Sequence, residues 1–112
     1  MEDNSKLIED QKQDIIFRII RARDKANLSA RALSQKVGLN DGYINRLESK
    51  KDFLPSLDVL LKIINVCGQT PEEFFYDSFD SYKEDIKILN LLKNTSKENK
   101  IAIITLLKNK QS

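Results

Sequence analysis

Side chains able to make or break covalent bonds are scarce in this 112-residue chain. It has no histidine and a single cysteine, Cys67. An intrachain disulfide, a multi-cysteine metal site, the usual zinc chemistry and histidine-based proton transfer are therefore excluded. Cys67 follows Ile63, Ile64 and Val66, the setting of a small buried hydrophobe. No nucleophile–base pair, metal cluster or glycine-rich phosphate loop can be traced, so neither catalysis nor a cofactor is expected. What remains is non-covalent chemistry. Asp41, Gly42, Asn45, Arg46 and Ser49 are polar or small and fall on the outward positions of one short helix. Ser29 and Asn40 are helix-capping residue types, and Lys50 and Lys51 follow that helix. Donors and acceptors on a protruding rod suit a grooved, polar, anionic partner such as duplex DNA.

The charge distribution agrees. The net charge is +2, but residues 13–68 carry ten Lys/Arg against six Asp/Glu, residues 1–12 are net negative, and residues 69–112 are balanced. The positive excess lies in one segment, which fits a polyanion.

Short amphipathic helices must position these residues. A first helix carries Ile15, Ile16, Ile19 and Ile20 and stops near Asn27; residues 1–12 precede it as a polar extension. Ser29 caps a second helix bearing Leu33 and Val37, which Gly38 ends. The third, with Ile44 and Leu47, spans about residues 40–49, or begins at Tyr43 if Asn40-Asp41-Gly42 forms a free turn. Ser56 caps a fourth, carrying Leu60 and Ile64, and Thr70-Pro71-Glu72-Glu73 is a capping box opening a fifth with Phe74 and Phe75. Residues 13–76 thus read as one domain. A composition break at 77–80 leads to a two-helix hairpin over 77–112, opened by a second box at Ser81-Tyr82-Lys83-Glu84 and turned at Asn94-Thr95 before Ser96. Hydrophobic content is 40% with no strand-like alternation, so the fold is all-α. No stretch approaches the ~20 apolar residues of a membrane span and no signal peptide opens the chain, so a cytoplasmic protein is expected.

Residues 28–51, LSARALSQKVGLNDGYINRLESKK, contain two short helices joined by a glycine-bearing turn, a helix-turn-helix. With Leu28-Ser29, Leu33, Val37-Gly38-Leu39, Tyr43-Ile44, Leu47-Glu48, Pro55-Ser56-Leu57, Leu60-Leu61 and Phe74, the stretch 13–76 resembles the Cro/CI-type (XRE) family of transcriptional regulators. The resemblance implies a five-helix repressor-like bundle. It assigns base contacts to Asp41, Gly42, Asn45 and Arg46, with Arg46 suited to guanine. Phosphate contacts fall to Ser29, Arg31, Asn40, Tyr43, Lys50 and Lys51. Arg23 and Glu48 match a structural salt bridge between the first and third helices. Two positions depart from the family pattern: Ala30 stands where a DNA-contacting Gln is usual, and Lys50 where Gly follows the third helix. That turn is expected to differ or to be strained.

The hairpin carries more aliphatic surface than one seam needs. Ile86, Leu89, Ile101 and Ile104 can face each other or the amino-terminal domain, which leaves Ile88, Leu91, Ile103, Leu106 and Leu107 for a dimer interface. The implied protein is a homodimeric repressor of phage or bacterial-operon type that binds an operator. The competing reading is an antitoxin or interaction module whose hairpin binds a partner protein.

Overall fold

The computed structural model describes residues 4–109. Helix ends fall where side chains or left-handed residues force them. Seven α-helices result among the described residues: α1 (Ser5–Lys25), α2 (Ala30–Val37), α3 (Tyr43–Lys50), α4 (Leu57–Val66), α5 (Pro71–Phe75), α6 (Phe79–Lys93) and α7 (Lys97–Asn109). No strand occurs among the described residues. After α1 the chain turns through Asn27 at φ 56°, α2 stops at Gly38 at φ 84°, and Gly68 at φ 77° follows α4. At the amino ends, Ser29 Oγ accepts from the Ala32 amide at 3.0 Å and Ser56 Oγ from the Val59 amide at 3.3 Å. The Thr70–Glu73 box forms in both directions, with bonds of 3.2 and 3.4 Å.

Two boundaries differ from the sequence-based expectation, and a third follows the alternative given for it. The first helix begins at Ser5, so most of the expected polar extension is helical; residues 1–3 lie outside the described residues. Straight-chain helix formers carry these added turns, tied by a 3.1 Å bond between Gln13 and Glu9, while Leu7 and Ile8 stay exposed. The third helix starts at Tyr43, because Asn40 Oδ1 accepts from the Gly42 amide at 3.0 Å and the Asn40 carbonyl from the Tyr43 amide at 2.9 Å. That side-chain turn competes with the helix and wins. The sixth opens three residues early, because Ser78 rather than Ser81 is its cap, accepting from the Ser81 amide at 3.0 Å.

The chain divides after Phe75 into two units. Among the described residues the first holds the buried apolar core: Ile16, Ile19 and Ala22 of α1, Leu33 of α2, Ile44 and Leu47 of α3, Leu60, Ile63 and Ile64 of α4, and Phe74 of α5. Ile15 and Val37, expected inside, only flank this cluster. Arg18 and Arg21 each donate to the Phe74 carbonyl, at 3.2 and 3.1 Å, which ties the end of α5 to α1.

In the second unit Tyr76 donates to Asp85 and lies edge-to-face on Tyr82, ring centres 5.4 Å apart. Ser96 caps α7 through the Asn99 amide at 3.2 Å. The expected seam between the two helices stays open. Leu89, Ile101 and Ile104 remain 47%, 56% and 52% exposed, and no described residue of α7 is buried. Ile101, Ile103, Ile104, Leu106 and Leu107 spread around more than half the helix circumference, so no single apolar face exists to pair with α6.

Because every core residue lies between Ile16 and Phe74, a chain ending at Phe75 is expected to keep one cooperative denaturant transition. Its stability should be about 4–8 kcal/mol, read by far-UV circular dichroism. A non-cooperative melt would show that the tail completes the fold.

Candidate nucleic-acid interface

α2 and α3 have eight residues each, too few to be stable alone in water, so tertiary contacts must hold their mutual angle. Below them lie Leu33, Ile44 and Leu47. Between them lies Ser34, fully buried, whose hydroxyl donates to the Ala30 carbonyl at 2.9 Å and accepts from the Ile44 amide at 3.1 Å. This second bond fills a vacancy. The N-cap of α3 is Gly42, which offers no side chain, and Ile44 carries one of the first-turn amides that a helix cannot satisfy internally. A residue of α2 thus caps α3.

The far half of α3 is tied to α1. Arg23 grips Glu48 with two bonds of 2.6 Å, and its third nitrogen donates to the Leu28 carbonyl at 2.9 Å. Both side chains are mostly buried. The Glu48 hydrogen bond raises the guanidinium pKa further, against the effect of burial, so Arg23 stays charged. Removing either partner would strand the other charge away from water.

The turn after α3 accommodates Lys50 without glycine. Lys50 stays helical, and the left-handed position passes to Lys51 at φ 53°. A non-glycine residue there costs about 1 kcal/mol. Lys51 offsets this by folding back. Its ammonium donates to the Glu48 carbonyl at 2.6 Å, sits 5.6 Å from the Phe17 ring centre, and its own carbonyl accepts from Gln13 at 2.7 Å. Lys51 is thereby occupied as a C-terminal cap, whereas Lys50 is exposed.

The outward side of this frame carries the residues singled out in the sequence. Asn45, Arg46 and Ser49 are exposed, and among the described residues no hydrogen bond or ion pair holds Asn45 or Arg46. Gly42 and Tyr43 are half-buried. The Tyr43 ring meets Phe53 edge-on at 5.5 Å, and burial pushes its phenol pKa up, so the hydroxyl remains a donor at neutral pH. Ser29 and Asn40 are exposed, but the oxygens that cap or turn the backbone are already engaged. Asp41 is paired with Arg31 at 3.3 Å and with Gln35 at 3.3 Å. Cys67 is half-buried and its thiol pKa is raised by burial, so it stays protonated and unreactive.

Ser34, Gln35 and Gln13 were not legible as important. A serine in a helix interior gives a weak signal; the usable clue was its place ahead of a helix whose N-cap is glycine.

A model of the helix-turn-helix family matches residues 19–74, half of the chain, from within α1 to the end of the core in α5. No curated protein and no solved structure matches the chain.

Ser34→Ala removes one acceptor and leaves the Ile44 amide buried without a partner. It is expected to cost about 1–3 kcal/mol in denaturant unfolding, with the Ile44 amide losing hydrogen-exchange protection before its neighbours. A loss below a few tenths of a kcal/mol would mean that the hydroxyl does not set the helix pair.

Proposed function

This chain belongs to the helix-turn-helix family of XRE-type DNA-binding transcription regulators, and from that premise we propose that it is a repressor reading an operator through α3. The observation that carries this is the two-sidedness of α3. Ile44 and Leu47 are fully buried, whereas Asn45, Arg46 and Ser49 point to solvent. Arg46 has the geometry to bond guanine O6 and N7 together, and Asn45 suits adenine N6 and N7. Gly42 lets the backbone approach a base edge closely. Around this reader, Arg31 and Lys50 supply charge to the phosphates, Tyr43 a phenolic donor, and Ser29 and Asn40 the backbone amides near them. Lys51 is the weakest of the phosphate candidates, since reaching DNA means leaving its cap.

The operator reading implies two half-sites and therefore two copies. Ile88, Leu91, Ile103, Leu106 and Leu107 are all exposed, as are Leu89, Ile101 and Ile104. They lie on both helices of the hairpin and keep large aliphatic side chains in water. This much wet aliphatic surface on one short hairpin points to a protein contact. We assign it to a second copy of the chain. An antitoxin-like partner is the competing occupant.

Arg46→Ala should weaken the preferred operator about 10- to 100-fold, or ~1–3 kcal/mol, measured against an unrelated duplex at fixed salt. The unfolding midpoint should not move. An equal loss on both duplexes would reassign Arg46 to a phosphate.

Sedimentation at micromolar concentration should give a dimer, and Leu106→Asp combined with Leu91→Asp should give a folded monomer. A monomeric unaltered chain contradicts the homodimer and leaves the tail to another protein.

A further inference from the structure

Asp41 spends both carboxylate oxygens inside the free protein. Oδ2 lies 3.3 Å from Arg31 Nη2, and Oδ1 accepts from Gln35 Nε2 at 3.3 Å. Arg31 and Gln35 are four residues apart on α2, hence on one side of it, and Asp41 sits in the turn that leads into α3. The carboxylate therefore bridges the outward side of α2 to the start of the proposed reading helix. The ion pair is wet, with side chains 73% and 56% exposed, so it adds little to folding. Its consequences lie in binding.

A phosphate backbone approaching this surface meets an arginine that is already neutralised and a carboxylate that it repels. Arg31 keeps N–H groups that can reach a phosphate, but Asp41 offsets their charge, and an Asp41 that gives up its partners faces a polyanion without a donor. Only a duplex that offers Asp41 a hydrogen in the major groove removes that cost. The bases that do so are cytosine, through its N4 amino group, and adenine, through its N6 amino group.

We infer that Asp41 is a specificity-determining residue. Held by Arg31 and Gln35 in the free chain, it suppresses binding to arbitrary DNA and exchanges these partners for an exocyclic amino group in the correct site, which frees Arg31 for a phosphate. This rests on the reading of α3 as the DNA-contacting helix. The device penalises wrong partners rather than adding contacts to the right one.

The test is Asp41→Asn, which keeps the shape and turn-forming character of the side chain and removes its charge. A preferred duplex is first selected from a random pool with the unaltered chain. Both proteins are then titrated with that duplex and with an unrelated one of equal length across a salt series. The variant should bind the unrelated duplex about 5- to 10-fold tighter, with its log–log salt slope larger by about one phosphate contact. Its affinity for the selected duplex should stay level or fall, so the ratio between duplexes drops at least about 5-fold. Selection repeated with the variant should lose a preference for cytosine or adenine at one position of each half-site. An equal gain on both duplexes, with the base preference intact, overturns the inference and reduces Asp41 to a general repulsive charge. If the unaltered chain itself prefers no duplex, the DNA-reading premise has failed, and that result is visible before any variant is made.

Discussion

A serine hydroxyl shut away from water governs how α3 is presented. Ser34 can satisfy its hydroxyl only between the Ala30 carbonyl and the Ile44 amide. Because an unsatisfied buried polar group is costly, α2 and α3 are held at the one separation that keeps both bonds. Two further ties act on the other end of α3. Arg23 joins Glu48 to α1 and to the Leu28 carbonyl, and Lys51 caps the last turn while Gln13 holds its carbonyl. A short helix fixed at its start by a hydroxyl and at its end by two cations has little freedom to roll. Its wet side is therefore presented at a defined angle, which the reading role proposed for it requires.

The two units divide the physical work. In the first, ten apolar side chains from five helices are buried and the polar positions of α3 face outward. In the second, apolar side chains themselves face solvent, and α7 buries none of its described residues. A helix apolar on most of its sides is ordinarily an interior helix. The contrast between a finished first unit and an unfinished second one is what the dimer reading explains.

Much of this was legible in residue order. Gly38, Ser29, Ser56 and the Thr70–Glu73 box marked helix ends because their backbone or side-chain chemistry is local. The three-and-four spacing of Leu33, Ile44, Leu47, Leu60 and Ile64 marked the core for the same reason. Choices between two nearby local signals were harder. Asn40 is a good cap and a good turn former, and its side chain made the turn. The Ser81 box marked a helix start, but Ser78, read as part of a break, caps the helix three residues earlier. Long-range bonds left no trace: nothing around Gln13 announces Lys51, and nothing around Ser34 announces Ile44. The strain expected at Lys50 moved one residue on, to Lys51, whose long side chain can reach back to the carbonyl it leaves.

The central claim is that the outer side of α3 meets duplex DNA. Its most direct test is an amide chemical-shift map of the isotope-labelled full chain titrated with its selected duplex. The account predicts the largest shifts at residues 29–31 and 41–50, with Ile44 and Leu47 side chains undisturbed. Shifts confined to residues 88–107, with Asn45 and Arg46 unmoved, would contradict it.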